Sequence, residues 1–121
     1  MKILVVDDSK AMRMLIIRSL EQAGLGSHTF LEAGDGFEAF TLVTTEAPDL
    51  ILSDWTMSGV GGMDLLRGLR GAGNTVPFGF VTAQASELRR EEALAAGAQF
   101  ILGKPFLAAS LGDVVREYVD G

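Results

Sequence analysis

Short apolar runs alternate with stretches of helical period along this chain. Ile3-Leu4-Val5-Val6 is an unbroken run rich in β-branched residues, the pattern of a strand covered on both faces. Met12, Leu15, Ile16, Leu20 and Ala23 then keep one side of a helix apolar, with Ser9 placed as N-cap and Gly24 as the C-terminal stop. His28 to Ala33 reads as a weaker second strand. The turn Gly34-Asp35-Gly36 leads into a helix through Phe37, Phe40 and Val43 that ends before Pro48. Leu50 to Ser53 is a third strand, followed by a glycine-rich loop, Ser58 to Gly62, and a helix through Met63, Leu66 and Leu69. Val76 to Val81 reads as the fourth strand, Ser86 to Ala96 as a helix stopped by Gly97, and Phe100 to Leu102 as the fifth strand. A last helix carries Leu111, Val114, Val115, Tyr118 and Val119.

The pattern is therefore (βα)₅. Strands separated by helices of this length pair in parallel through crossovers, which place helices on both faces of the sheet. The expected fold is α/β, a doubly wound five-stranded parallel sheet, with its ligand site at the carboxyl ends of the strands. A chain of 121 residues, 48% of them hydrophobic, fits one domain spanning residues 1–121. The absence of cysteine excludes disulfides and thiolate metal sites. The first apolar run is too short for a secretory signal and meets Asp7 and Asp8 at once, so a cytoplasmic protein is expected, with no membrane segment. A net charge of −6 disfavours direct nucleic-acid binding, which depends on Lys and Arg.

The chemistry collects at the strand ends. Asp7-Asp8 follow the first strand, Asp54 the third, Thr82 the fourth and Lys104-Pro105 the fifth. Singly, each has a plainer explanation as a turn residue, a cap or a surface charge. In a parallel sheet all five polar side chains arrive at one edge, where this fold places its sites. Two carboxylates about 5 Å apart repel by roughly 3 kcal/mol at an effective dielectric near 20, and one lysine offsets only part of the repulsion among three. Oxygen-only ligands with open positions favour Mg²⁺, which keeps several waters and commonly a phosphate oxygen. Such a set suits phosphoryl transfer: Asp54 as nucleophile, Lys104 and a metal facing the equatorial oxygens, Thr82 donating to one of them. The other phosphate devices, GxxxxGK[ST] and GxGxxG, are missing, and His28, the only histidine, lies away from the acidic edge.

The motifs ILVVDDS, EAGDG, PDLILSDW, FVTA and AGA…KPF, spread over nearly the whole chain, resemble the receiver domain of bacterial two-component systems, most closely the stand-alone CheY-like kind. The resemblance implies a flavodoxin-like sheet in the order 2-1-3-4-5. It implies that Asp8, Asp54 and the Thr56 backbone carbonyl bind Mg²⁺ (or Mn²⁺), with Asp7 helping through water. Asp54 would take a phosphoryl group from a phosphohistidine on a sensor histidine kinase or histidine phosphotransfer protein, or from acetyl phosphate. Thr82 and Lys104 would close on the phosphate, Lys104-Pro105 would be cis, and output would run to a target protein through the fourth helix, fifth strand and fifth helix. A monomer or weak dimer is expected.

Several positions depart from the pattern. The loop Met57-Ser58-Gly59-Val60-Gly61-Gly62 lacks the usual Asp-Gly pair and, with more glycine and no proline, should be more mobile before phosphorylation. Ser58 stands where receivers usually have proline, in a loop richer in glycine. Ile101 stands where they commonly have an aromatic ring whose rotation reports phosphorylation; Phe100 is adjacent, but alternation points it to the other face. The expected consequence is intact phosphorylation chemistry without that rotation. Two rival readings are an Mg²⁺-dependent aspartyl phosphohydrolase, whose DxDxT motif DDSKA does not match, and a pseudo-receiver that binds without being phosphorylated, which the complete set Asp7, Asp8, Asp54, Thr82 and Lys104 disfavours.

Overall fold

In the computed structural model, which describes residues 1–119, five strands form one parallel sheet. They are β1 (Lys2–Val6), β2 (Thr29–Ala33), β3 (Leu50–Ser53), β4 (Phe78–Thr82) and β5 (Phe100–Gly103). The helices between and after them are α1 (Lys10–Leu20), α2 (Gly36–Glu46), α3 (Gly62–Gly71), α4 (Glu87–Ala95) and α5 (Ala108–Arg116). The sheet order is β2-β1-β3-β4-β5, with every neighbouring pair parallel, as the resemblance implied.

Alternation along the strands divides the core in two. Leu4, Val6, Ile51, Phe78 and Phe80 pack with Ala39, Val43, Leu66, Leu69 and Ala93 of α2, α3 and α4. Ile3, Val5, Leu50, Leu52, Val81 and Phe100 pack with Ile16, Leu20, Leu111 and Val115 of α1 and α5. Full burial of an aliphatic or aromatic side chain of this kind is worth about 1.5–3 kcal/mol, so the central strands carry much of the stability. The helix starts follow local chemistry: Ser9 accepts from the Met12 N–H, Asp35 from Glu38 and Ser86 from Arg89. The first helical path runs past α1 through a π-type turn, Glu21–Leu25, and breaks at Gly24 (φ 91°). At the amino-terminal edge of the sheet, Arg70 donates to the carbonyls of Gly97 and Asn74, and desolvation there lowers its pKa from the ordinary guanidinium value.

Besides shifts of a single residue at β1 and β5, three boundaries differ from the apolar pattern. β4 starts at Phe78, not Val76, because the Asn74 side chain captures the Val76 N–H and Pro77 has none to offer. The same shift makes Thr82 the last residue of the strand, paired with Gly103. β2 starts at Thr29, since the His28 N–H turns back to the Leu25 carbonyl. α5 ends at Arg116, yet Val119 remains buried and Tyr118 stacks on Phe100, ring centres 5.7 Å apart. The apolar stripe outlasts the regular helix because a tighter turn carries it on: the Tyr118 and Val119 N–H groups both donate to the Val115 carbonyl, at 2.9 and 3.2 Å.

Candidate functional site

Asp7, Asp54 and Lys104 each sit one residue beyond a strand, yet their backbone N–H groups still bond to the neighbouring strand. Asp7 donates to the Ala33 carbonyl at 3.1 Å, Asp54 to Val6 at 2.9 Å and Lys104 to Thr82 at 2.9 Å. These are the last rungs of three ladders, so the side chains leave the sheet edge from backbone that is already fixed. They converge. The Lys104 Nζ lies 2.9 Å from Asp7 Oδ2 and 3.2 Å from Asp54 Oδ2, with side-chain exposures of 13% for Lys104, 3% for Asp7 and 16% for Asp54.

Each carboxylate has further donors. Asp7 Oδ1 accepts from the Ser9 N–H at 2.9 Å, and Asp54 Oδ1 from the Trp55 N–H at 2.7 Å. The loop after Asp54 folds back tightly: the Gly62 N–H donates to the Trp55 carbonyl, and the Ser53 hydroxyl to the Asp54 carbonyl. A Cβ on Gly62 would stand 2.0 Å from that Asp54 oxygen, so only glycine lets α3 begin so close behind the acidic residue.

The remaining candidates lie around this centre in different ways. Asp8 is exposed and turned to the loop, where its Oδ2 accepts from the Ser58 N–H at 3.0 Å and the Ser58 hydroxyl at 3.2 Å. Thr82 is buried; its Oγ1 accepts from the Gln84 N–H at 3.3 Å and does not bond to the charged trio. The Thr56 hydroxyl donates to the Gln84 side-chain oxygen at 3.3 Å. Lys104-Pro105 is cis. Ile101, paired with Phe80, faces the cluster under α2, α3 and α4, while Phe100 faces α1 and α5, so alternation holds without a bulge. The Phe100 ring covers Gly79 of β4.

Three contributors were not apparent as site residues in the sequence. Arg13, one turn into α1, donates to the Asp7 carbonyl at 2.6 Å and to Glu32 at 2.9 Å, bracing the first strand end. Arg89 of α4 lies over the Trp55 ring at 4.8 Å, and the same ring packs on Phe80 with centres 4.7 Å apart. Ser58 is the third. Arg89 and Ser58 act on partners distant in the chain, whereas Arg13 reaches Asp7 only six residues away, and nothing in the residue pattern gave the direction of its side chain.

Among the described residues, no three His, Cys, Asp or Glu side chains form a ready-made metal cage. That still suits Mg²⁺, which takes one or two carboxylates and keeps waters, whereas a structural zinc site would need a fuller protein shell. The groups that would hold it, the Asp8 and Asp54 carboxylates and the Thr56 carbonyl, are all hard oxygens of the kind such an ion takes, and Ser58 ties Asp8 to the loop that carries Thr56.

The fold and edge together define an α/β domain with a lysine-bridged acidic site at the carboxyl ends of parallel strands. Residues 3–116 match the family described as the response regulator receiver domain. The chain belongs to that family, and is a receiver domain of the two-component response-regulator type. It is similar to the chemotaxis protein CheY-3 of Vibrio cholerae, 36% identical over 113 residues that cover 92% of this chain and 85% of that protein. It is also similar to the response regulator MprA of Mycobacterium tuberculosis, 37% identical over 110 residues. That match takes in 91% of this chain and 46% of MprA, so the chain spans about half the length of that relative. The receiver domain of the Francisella response regulator 1452 superposes with a TM-score of 0.87 at 32% identity, covering 97% of this chain and 94% of that one. No helix among the described residues is long and apolar enough to cross a membrane.

Proposed function

We propose that this domain is a phosphoacceptor switch in which Asp54 takes a phosphoryl group from a phosphohistidine of a sensor kinase or phosphotransfer protein, or from acetyl phosphate. The observation that carries the reading is the Lys104 ammonium held between Asp7 and Asp54 at the sheet edge. An Asp54 carboxylate oxygen attacks phosphorus; with phosphohistidine the P–N bond breaks and the freed imidazole takes up a proton, and with acetyl phosphate the P–O bond breaks and acetate leaves. The product is a mixed anhydride, an aspartyl phosphate.

Asp8, Asp54 and the Thr56 carbonyl would hold Mg²⁺ (or Mn²⁺), with Asp7 helping through water, and the bound ion would supply positive charge to the phosphoryl oxygens. Lys104 supplies a second positive charge from a position that is already built, with little reorganisation. The Thr82 hydroxyl turns from accepting the Gln84 N–H to donating to a phosphoryl oxygen. Hydrolysis of the anhydride returns the carboxylate, with Thr56 and Gln84 flanking the approach of water. The domain thus catalyses its own phosphorylation and dephosphorylation, acting as a cytoplasmic signalling protein, not as an enzyme on a separate substrate.

Output to a target protein runs through α4, β5 and α5, where Leu88 is 73% exposed on α4 and Leu107 74% exposed at the start of α5. Ile101 has no ring to turn, and Phe100 is packed between Gly79 and Tyr118. The signal therefore reaches α4 without an aromatic rotation in β5.

Incubation with acetyl phosphate and Mg²⁺, read by intact-protein mass spectrometry, tests the reading. One added phosphoryl group is expected in the wild type, and none in Asp54→Asn or with chelator. A wild-type protein that stays unmodified, and is unmodified by any histidine phosphodonor, overturns the proposal in favour of the non-phosphorylated binding module.

A further inference from the structure

Within the acidic site, Asp8 is held differently from its neighbours. Asp7 and Asp54 share Lys104, whereas Asp8 takes both its hydrogen bonds on one oxygen, Oδ2, and both come from Ser58. Its other oxygen, Oδ1, accepts no hydrogen bond among the described residues. Ser58 lies on the same loop as Thr56, and that loop is tied a second time where the Gly36 N–H at the start of α2 donates to the Val60 carbonyl at 2.9 Å. The two oxygen donors that come from different strands, the Asp8 carboxylate and the Thr56 carbonyl, are therefore joined by a bridge 50 residues apart in sequence.

We propose that Ser58 is a positioning residue for the divalent ion: it fixes Asp8 through Oδ2 and leaves Oδ1 open to ligate. A carboxylate on an exposed turn otherwise loses rotamer freedom when it ligates a cation. Two donors on the far oxygen remove that freedom beforehand, which is how outer partners of metal ligands raise affinity. The residue type matters at this place. Receivers of the usual pattern carry proline here, which has neither the N–H nor the hydroxyl, so this chain has a hold on Asp8 that proline cannot give. The inference rests on the metal-binding reading above.

Mg²⁺ titration followed by backbone amide NMR shifts measures it without any phosphoryl transfer. Ser58→Ala keeps the N–H and loses the hydroxyl, and is expected to weaken Mg²⁺ by roughly three- to tenfold; Ser58→Pro loses both and is expected to weaken it by about ten- to a hundredfold, the range for outer partners of ligands. Ser58→Thr, which keeps both donors, is expected to bind like the wild type. In the wild type the Ser58 amide stays protected from exchange when Mg²⁺ is added. Binding by Ser58→Pro that is unchanged or tighter, or loss of Ser58 amide protection on adding Mg²⁺, overturns the proposal, because Ser58 would then be idle or competing with the ion. A wild type that shows no Mg²⁺-dependent shifts overturns both this inference and the metal-binding reading.

Discussion

Replacing Lys104 with methionine removes the positive charge and keeps most of the side chain's volume. Both carboxylate oxygens lie within 3.2 Å of its nitrogen, so they are within about 6 Å of each other. Unscreened by the ammonium, they repel by about 3 kcal/mol at an effective dielectric of 20. The pair is only partly sealed, since Asp54 keeps 16% of its side-chain surface, so the loss is expected at about 2–4 kcal/mol, near the low end for breaking a buried ion pair. That is a large share of the stability of an ordinary domain, about 5–15 kcal/mol, and corresponds to a fall in Tm of about 10 °C. Urea denaturation of Lys104→Met in chelator measures it. Two restorations identify the cause: adding Asp54→Asn to Lys104→Met returns most of the loss, and millimolar Mg²⁺ returns part of it. A Lys104→Met protein within about 0.5 kcal/mol of wild type, where ordinary surface substitutions fall, refutes the electrostatic reasoning. A double variant no more stable than Lys104→Met refutes it equally.

Two further outcomes test the surroundings of the site. A Cβ on Gly79 would lie 2.0 Å from the tip of the Phe100 ring, which is stacked on Tyr118; Gly79→Ala is therefore expected to destabilise by about 1–3 kcal/mol, read by the same denaturation. A neutral result would mean that Phe100 is free to move and that an aromatic rearrangement in β5 is available after all. Trp55 adjoins Asp54 and lies under Arg89, so its fluorescence is expected to change with Mg²⁺ and again with beryllofluoride, both responses vanishing in Asp54→Ala. Arg89→Ala should alter the resting emission but keep the Mg²⁺ response, and loss of that response would place Arg89 in the binding step itself.

How much of this was legible beforehand depends on the range of the interaction. Ser9, Asp35 and Ser86 cap their helices as local chemistry dictates, because a cap and its N–H are three residues apart. The sheet-edge placement of Asp7, Asp54 and Lys104 also followed from the pattern, since parallel strands joined by crossovers must all end on one side. The fourth strand was misplaced because the Asn74 side chain, not hydropathy, decides where the Val76 N–H goes. The last helix was drawn too long because Tyr118 and Val119 are buried by contacts with other elements, which an apolar stripe cannot distinguish from helix.

The order of residues alone determined the alternation of strands and helices, the two-sided burial of the central strands, and which edge collects the acids and the lysine. Those properties depend on period and connection length, both of which are written locally along the chain. Tertiary structure decided which oxygen of each acid is already occupied: Lys104 reaches Asp7 across 97 positions, Ser58 reaches Asp8 across 50, and Arg13 grips the Asp7 carbonyl from α1. The bonds of Lys104 and Ser58 form only once packing has brought the strand ends together, and nothing in the intervening sequence encodes their geometry.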